Sequence, residues 1–386
     1  MRDLSTKSLS GEGIGTVHSL KQSCSHESAT GAFGSCGTRS VDSTDSSVAE
    51  NKKTPFLRRR HAKGVACALV GAGLWGFSGA CAQFLLANYD ITPSFITAVR
   101  MLGAGVIFLL VLAVRNREQL AAMLSERRTV GQLAVFGGVG LFLCQITYTI
   151  VIGYTNAGTA TVLQTTGIAF VMLFTCLIVR RLPQTREIVG LVAAVVATWL
   201  IATQGDLGAL VLPPLGLAWG IANGLSVAFY IMYPKKLFAR WGSFAVTGIG
   251  MLMGGVVATA VYVAGVAFGE PLVLPALDVV GVLVFTAFVV VGTFAAFALY
   301  LHGVSVVGSV QGSLLGAIEP VSATLFSALW LGTAFTGADL AGCALMIAMV
   351  FLVTTEKPTA KYAVASTPCH PGQYAEGAES KDLLRR

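Results

Sequence analysis

The feature that most constrains this chain is a series of apolar runs that follow one another from residue 64 to residue 355. Each run has about 20 residues, and at a rise of 1.5 Å per residue a helix of that length crosses roughly 30 Å of hydrocarbon. Only 12% of the residues are charged, against about 25% in a soluble domain. The pattern predicts an all-α polytopic membrane protein.

We predict ten membrane spans, of which the fifth is the shortest. The runs are continuously apolar and lack the period of two that strands of a membrane barrel show, which excludes a β-barrel. The predicted spans cover residues 64–86, 94–114, 131–153, 157–179, 187–204, 214–233, 243–266, 279–302, 308–331 and 336–355.

The connectors between the spans alternate in charge. Lys and Arg residues occur in three connectors that fall on one side of the predicted membrane, at 115–128, 180–186 and 235–240, and they also flank the first and last spans on that side. The positive-inside rule then predicts a multi-pass protein of the cytoplasmic membrane with both termini inside. The net charge of +7 follows from this topology and gives no reason to expect nucleic-acid binding. The other connectors carry only acidic charges, namely Asp90, Asp206, Glu270, Asp278 and Asp339.

The chain contains an internal repeat. A shift of 150 residues aligns the third and fourth spans with the eighth and ninth, placing Gly131 on Gly281 and Gly158 on Gly308. Each repeat holds five spans, and an odd number means that the second copy enters the membrane from the opposite side. Inverted repeats of this kind are a recurring architecture of secondary transporters, with the substrate site between the halves.

These observations divide the chain into four parts. Residues 64–205 form the first five-helix repeat and residues 206–355 form the second. Residues 1–63 and 356–386 are expected to be disordered cytoplasmic tails, because the first is rich in Ser, Thr and Gly and neither contains an apolar run.

The ninth span, "GSLLGAIEPVSATLFSALWLG" at residues 312–332, contains an acid and a proline, Glu319 and Pro320. Glu319 lies roughly 17 Å from the cytoplasmic edge by helical rise, close to the midplane. An ionised carboxylate there costs about 2.5–3.5 kcal/mol, so it should face protein or water and be able to bind a proton. Proton coupling or substrate contact is one interpretation, and a structural hydrogen bond is the other. Pro320 predicts a helix break, and Ala169 and Phe170 take the equivalent places in the first repeat.

Arg100 is the only cation inside a span. It could receive an anionic group of a substrate, pair with Glu319, or cap carbonyl groups of broken helices. Taken together, other polar and aromatic residues in spans one, three, four and six suggest a solvated central path for substrate, although taken singly each is more often a packing or interhelical hydrogen-bonding residue. They are Trp75, Gln83, Gln145, Tyr148, Gln164, Asn223 and Tyr230.

Small residues in the ninth span predict close helix packing. Gly308, Gly312 and Gly316 recur at intervals of four and fall on one helix face. The chain carries no Walker A motif, no nucleophile–base pair and no Cys/His cluster, so we expect no catalytic residues, no metal and no cofactor.

Three stretches together resemble the EamA-type branch of the drug/metabolite transporter superfamily: "LWGFSGACAQFLL", "SFITAVRMLGAGVIFLL" and "GSLLGAIEPVSATLFSALWLG". The resemblance covers residues 64–355 and implies a ten-helix secondary carrier. It implies a site between the first helices of the two repeats and the hairpins around spans four and nine. Glu319 would then be the protonation or substrate-contact residue, and Trp75 and Arg100 would line the path. The chain departs from the family pattern at Phe170 and at "RLPQTRE" before span five.

The function expected from these observations is alternating-access export of small polar metabolites, such as amino acids or their derivatives, with protons as a candidate coupling ion. The expected partners are a small-molecule substrate and the lipid bilayer, and a homodimer is compatible with the sequence. A lipid flippase or scramblase and a non-transporting sensor or scaffold stay open as alternatives.

Overall fold

A computed structural model describes residues 44–206, 211–268 and 276–354 of the chain. Every regular element in these ranges is helical, which confirms the predicted all-α class. Nine of the described helices are long and apolar enough to cross a membrane. The tenth predicted span is a shorter apolar helix at Gly337–Val353.

The first repeat contains five membrane helices and one short connector helix. Its third membrane helix is continuous from α4 to α5 but includes a π-helical segment, π1. The elements are α1 Thr44–Asn88, α2 Pro93–Arg115, α3 Arg117–Ser125, α4 Arg127–Val135, π1 Phe136–Leu141, α5 Phe142–Tyr154, α6 Ala157–Val179 and α7 Thr185–Thr203.

The second repeat follows the same order. A second π-helical segment, π2, interrupts its third membrane helix, and its fourth membrane helix is broken into α13 and α14. The elements are α8 Pro214–Met232, α9 Lys235–Trp241, α10 Ser243–Ala267, α11 Val279–Val289, π2 Val290–Ala295, α12 Ala296–Val307, α13 Ser309–Gly316, α14 Ile318–Leu331 and α15 Gly337–Thr354.

Helix α1 begins at Thr44, well before the predicted start of the first span at residue 64. It therefore includes part of the segment predicted to be a disordered tail. Helix nucleation is costly and extension is cheap, so an apolar helix that is already formed can continue into a polar flanking sequence. Disorder of residues 1–43 and of the tail after residue 355 lies outside the described residues.

Polar contacts join the repeats both through the Lys- and Arg-bearing connectors and through the acidic connectors. We call the corresponding sides of the protein the basic side and the acidic side. On the basic side Arg240 Nη1 donates to Glu126 Oε1 at 2.9 Å. On the acidic side the Tyr89 hydroxyl donates to Asp278, which also accepts from Gly281 N at 2.8 Å and so caps α11.

The first helix of each repeat packs against the other repeat. Asn223 of α8 donates its side-chain amide to the carbonyl of Cys144 in α5 at 2.9 Å. Trp75 of α1 packs its ring against Phe297 and Tyr300 of α12, with ring centroids 4.8 Å and 4.5 Å away. Side chains at the middle of α1 and α8 therefore lie at the interface between the repeats.

The N-caps of α6 and α13 give the register of the fourth membrane helix in the two repeats. Asn156 occupies the N-cap of α6 and accepts from Thr159 N at 2.8 Å. Gly308 occupies the N-cap of α13 with φ +89°, a conformation that favours glycine. These caps are 152 positions apart (308 − 156), so the shift of 150, which paired Gly308 with Gly158, is wrong by two residues.

Large apolar side chains remain exposed on the outside of the membrane helices. Such a surface suits contact with lipid, since hydrocarbon tails are as apolar as the side chains that face them. Examples at 60% exposure or more are Leu110, Leu177, Ile178, Leu283 and Leu329.

Candidate functional site

The fourth membrane helix of the second repeat is broken next to its acid. Helix α13 ends at Gly316, Ala317 has ψ −6°, and α14 begins at Ile318. Pro320 has no N–H to donate to the carbonyl one turn earlier, that of Gly316, so the break falls where the missing donor requires it. Glu319 lies in the first turn of α14, where the positive end of the helix dipole favours a carboxylate.

Helix α1 approaches this break closely at Gly76. A Cβ at position 76 would lie 2.0 Å from Ser322 Oγ, 2.5 Å from Ala323 N and 2.8 Å from the carbonyl oxygen of Glu319. Backbone atoms cannot move aside for a methyl group, so only glycine fits here. The Trp-Gly pair in the first helix thus sets the distance between α1 and the start of α14.

The Glu319 carboxylate makes its hydrogen bond to the other repeat. Gln164 of α6 donates from Nε2 to Glu319 Oε1 at 3.1 Å, and both side chains are partly buried. In the corrected register Glu319 and Pro320 align with Gly167 and Ile168, in place of the predicted Ala169 and Phe170. The acid and the proline are therefore present in one repeat only, as the sequence predicts in either register.

Arg100 lies on π2 of the second repeat. Its side chain is 4% exposed, its Nε donates to Thr293 Oγ1 at 3.0 Å, and its guanidinium carbon lies 4.9 Å from the ring centroid of Phe288. The Thr293 hydroxyl in turn donates to the carbonyl of Phe288, five residues earlier, at 2.9 Å. The π-helical segment thus supplies the hydroxyl that binds the arginine, and α11 just before it supplies the ring. Such π-helical segments frequently occur at functional sites.

Arg100 and Glu319 interact electrostatically without direct contact. Each lies within the electrostatic range of the other and of Tyr148. Within the described ranges no ion pair joins the two charges. Tyr148 itself donates to Thr161 Oγ1 at 2.8 Å, because the Thr161 hydroxyl already donates to the carbonyl of Ala157.

Trp75 and Tyr300 pack against each other near Glu319, with ring centroids 4.5 Å apart. The Trp75 Nε1 is buried without a hydrogen-bond partner. The Tyr300 hydroxyl donates to the carbonyl of Gly312 at 3.0 Å and lies within electrostatic range of Glu319. Tyr300 was not among the residues predicted from the sequence, because a lone tyrosine near the end of an apolar run resembles an interfacial anchor.

The two predicted residues of α8 contact the third membrane helix of the first repeat. Asn223 is 1% exposed and donates to the Cys144 carbonyl and to Thr147 Oγ1, both at 2.9 Å, while its Oδ1 has no partner. Tyr230 stacks on Phe136 of π1 with centroids 5.9 Å apart and is within electrostatic range of Glu319.

Gln83 lies nearer the acidic side, and three hydrogen bonds to protein groups hold its amide. Its Nε2 donates to Thr333 Oγ1 at 2.9 Å, and its Oε1 accepts from Ala157 N at 2.8 Å and from Ser327 Oγ at 3.0 Å. These bonds tie α1 and the start of α6 in the first repeat to α14 and the following connector in the second. We call this arrangement the Gln83 clamp.

The three predicted packing glycines divide into two roles. A Cβ at Gly312 would lie 2.6 Å from Val304, and one at Gly316 would lie 3.0 Å from the Tyr300 hydroxyl, so both face α12. Gly308 instead forms the turn before α13 and would meet nothing within 4 Å. It is required for its backbone conformation and does not belong to the packed face.

The residues that contact Arg100, Thr293 and Phe288, were not predicted from the sequence. Gly292 and Thr293 interrupt the apolar run of the eighth span, and this was the available signal. A Cβ at Gly292 would lie 2.8 Å from Ser78 Cβ in α1, so this glycine also permits a close contact between repeats.

Comparisons with known proteins agree with this architecture. The model of the EamA-like transporter family matches residues 62–203 and 214–355, two copies whose starts are 152 positions apart (214 − 62). The uncharacterized inner membrane transporter YicL of Salmonella typhimurium is 32% identical over 295 residues, which are 76% of this chain and 96% of that protein.

A solved crystal structure of a protein with 18% sequence identity has a TM-score of 0.53 and covers 76% of this chain and 96% of its own. At that identity the likeness concerns the fold alone. The two family matches span most of the described helices, and the relative is covered over nearly its whole length. The chain therefore belongs to the EamA-like transporter family, and it is a multi-pass membrane transporter built from two tandem repeats.

Proposed function

We propose that the protein is a proton-coupled carrier that exports small polar metabolites by alternating access. The observation that carries this proposal is the position of Glu319. It lies at a break in a membrane helix, hydrogen-bonds to Gln164 and interacts electrostatically with Arg100. An acidic residue inside a membrane domain is a functional-site hypothesis by default.

The partners of Glu319 suggest how a proton could be coupled to movement. Glu319 belongs to the second repeat, whereas Gln164 and Arg100 belong to the first. An ionised carboxylate attracts both groups and favours the arrangement in which the repeats meet here. A protonated carboxyl loses the attraction to Arg100, so protonation shifts the population toward another arrangement. If protonation of Glu319 favours one arrangement of the repeats and binding of solute favours the other, the movement of protons is coupled to the movement of solute in the opposite direction.

The topology of the proposal follows the charges of the connectors. The basic side, with both termini, would face the cytoplasm, and the membrane would be the cytoplasmic membrane. The related transporter of Salmonella typhimurium bears an inner-membrane name, which supports this location. A single chain carries all the groups described above, so the proposal requires no partner subunit.

Proton flux in proteoliposomes tests the proposal. Purified protein is reconstituted with a pH-sensitive dye inside the vesicles, and amino acids, their derivatives and other small metabolites are added one at a time. We expect at least one solute to produce a proton signal in the wild type. Glu319→Gln, which keeps the shape and hydrogen bonds of the side chain but cannot exchange a proton, should abolish that signal.

The matched control is Glu118→Gln, which neutralises an exposed acid on α3 and should leave the signal unchanged. Equal solute movement by wild type and Glu319→Gln, without any proton signal, would assign Glu319 a structural role. A protein that moves no solute in the panel would direct attention to lipid handling instead.

The lipid-facing surface gives less support to lipid handling. A flippase needs a polar stripe open to the bilayer. A surface groove of about 560 Å³ runs between α14 and α15, and apart from Thr324 and Thr333 its lining is apolar. The charged and amide groups described above lie between the repeats, which favours a solute that passes through the protein.

A further inference from the structure

Arg100 has one nitrogen engaged and another without a partner. Its Nε is held by Thr293, whereas its Nη1 is buried and makes no hydrogen bond. A buried donor on a charged group is costly to leave unpaired. The hydrogen bond from Nε to Thr293 on π2 fixes the orientation of the guanidinium, so the unpaired Nη1 points in one direction.

Gln145 of α5 lies at the same level as Arg100. Thr97 Oγ1 donates to Thr149 Oγ1 at 3.4 Å, which joins α2 to α5. Arg100 is three residues from Thr97 and Gln145 is four residues from Thr149, so each lies one turn further toward the basic side on the same helix face. Gln145 is 7% exposed, and its Nε2 has no partner.

Ser78 of α1 adds a hydroxyl beside the same π segment. Its Oγ is fully buried without a partner, and the residue abuts Gly292, next to the Thr293 that holds Arg100. Arg100, Gln145 and Ser78 thus bring a cation, an amide donor and a hydroxyl to one region from three helices of the first repeat.

We propose that Arg100, Gln145 and Ser78 form a binding subsite for the carboxylate of the transported solute. The free groups are donors, which an oxyanion complements. A carboxylate offers two oxygens that can accept from Arg100 and Gln145 at once, and guanidinium groups suit such planar acceptors. The single positive charge matches a monoanion. A phosphate dianion would leave an excess negative charge in a buried region that already contains Glu319.

This inference rests on the proposed transport function but has a test of its own. The detergent-solubilised full chain is heated with L-leucine, L-phenylalanine, pyruvate or benzoate, and separately with the primary amide of each. A ligand that binds the folded state raises the unfolding temperature according to its affinity. We expect at least one acid to bind about tenfold or more tightly than its amide, since hydrogen bonds to a charged group are about twice as strong as neutral ones.

Three variants and one control locate the effect. Arg100→Gln and Gln145→Leu should remove the preference for the acid over the amide, and Arg100→Lys, which keeps the charge but loses the planar donor pair, should weaken it. Arg115→Gln neutralises an exposed arginine at the end of the same helix and should retain the preference. If Arg100→Gln fails to fold, Gln145→Leu decides, because it leaves no buried charge unpaired.

The outcomes separate this proposal from the transport proposal. The subsite is refuted if no acid stabilises the wild type up to its solubility limit, if acid and amide act equally, or if chloride alone reproduces the effect. Proton flux through Glu319 with no distinction between acid and amide would retain the coupling and reject the subsite. A preference for acids that depends on Arg100, without any proton flux, would do the reverse.

Discussion

The contact between α1 and α14 at Gly76 gives a sharp prediction. In Gly76→Ala the new methyl group would lie 2.0 Å from Ser322 Oγ and 2.5 Å from Ala323 N. The serine side chain can rotate, but the backbone nitrogen can move only with its helix. We therefore expect α1 and α14 to separate and the start of α14, which holds Glu319, to shift.

The size of the effect follows from packing energetics. Adding one carbon to a fully packed position typically costs about 1–3 kcal/mol. Gly73→Ala in the same helix is the matched control, because a Cβ there would meet nothing within 4 Å. That control should be neutral or slightly stabilising, since alanine has a higher helix propensity than glycine by up to about 1 kcal/mol.

Thermal unfolding of the two purified variants measures the difference. For domains of about 150–250 residues, 1 kcal/mol corresponds to about 2–4 °C in Tm, so Gly76→Ala should unfold several degrees below Gly73→Ala. Its transport rate in proteoliposomes should fall as well, because the carboxyl group is displaced. A Gly76→Ala protein as stable and as active as the control would refute the close packing of α1 on α14.

Three further predictions concern polar contacts. Gln83→Leu should lower Tm, because the Gln83 clamp contains three hydrogen bonds and loss of each typically costs about 0.5–1.5 kcal/mol. An unchanged Tm would show that the clamp does not contribute to the stability of the folded protein. Thr293→Val should destabilise the protein more than Thr293→Ser, since only valine leaves Arg100 Nε unpaired, and thermal unfolding of the two variants compares them. The link between Tyr89 and Asp278 should depend on pH at both extremes. The hydrogen bond from Tyr89 lowers the pKa of Asp278 below its ordinary value of 3.8 and raises the pKa of Tyr89 above 10.0. A lowered acid pKa gives stability that is lost as pH falls through the folded value, and the raised tyrosine pKa gives stability that is lost as pH rises through it. The Tm difference between wild type and Tyr89→Phe should therefore be constant between about pH 5 and pH 9 and shrink outside that range; a difference that changes with pH inside it would contradict this assignment.

The sequence predicts the elements of the fold well because hydropathy alone decides where a helix can cross a membrane. The fold class and the two-repeat architecture are confirmed, and nine described helices plus a shorter tenth occupy the predicted spans. The repeat register was wrong by two positions, since glycines recur often enough in membrane helices to align by chance. Asn156 and Gly308 give the correct register because each marks a helix start.

The site could be predicted only in part. Glu319 and Arg100 are visible in the sequence because charge inside a span is rare. Gln83 shows why amides are harder to interpret, since a glutamine that lines a path and one that clamps four segments have the same sequence signature. The π segments leave a weak signal, because Gly292 and Thr293 look like ordinary packing residues until Arg100 is placed on them.

Solute accumulation driven by a pH gradient tests the central claim, that the proton carried by Glu319 is coupled to solute movement. The solute identified by the dye screen is followed as a radiolabel in proteoliposomes, first with a pH gradient and then as exchange at equal pH. The account predicts that Glu319→Gln keeps exchange but loses accumulation, because the carrier still changes its facing side without using the proton gradient. Accumulation by Glu319→Gln at the level of the wild type would contradict it.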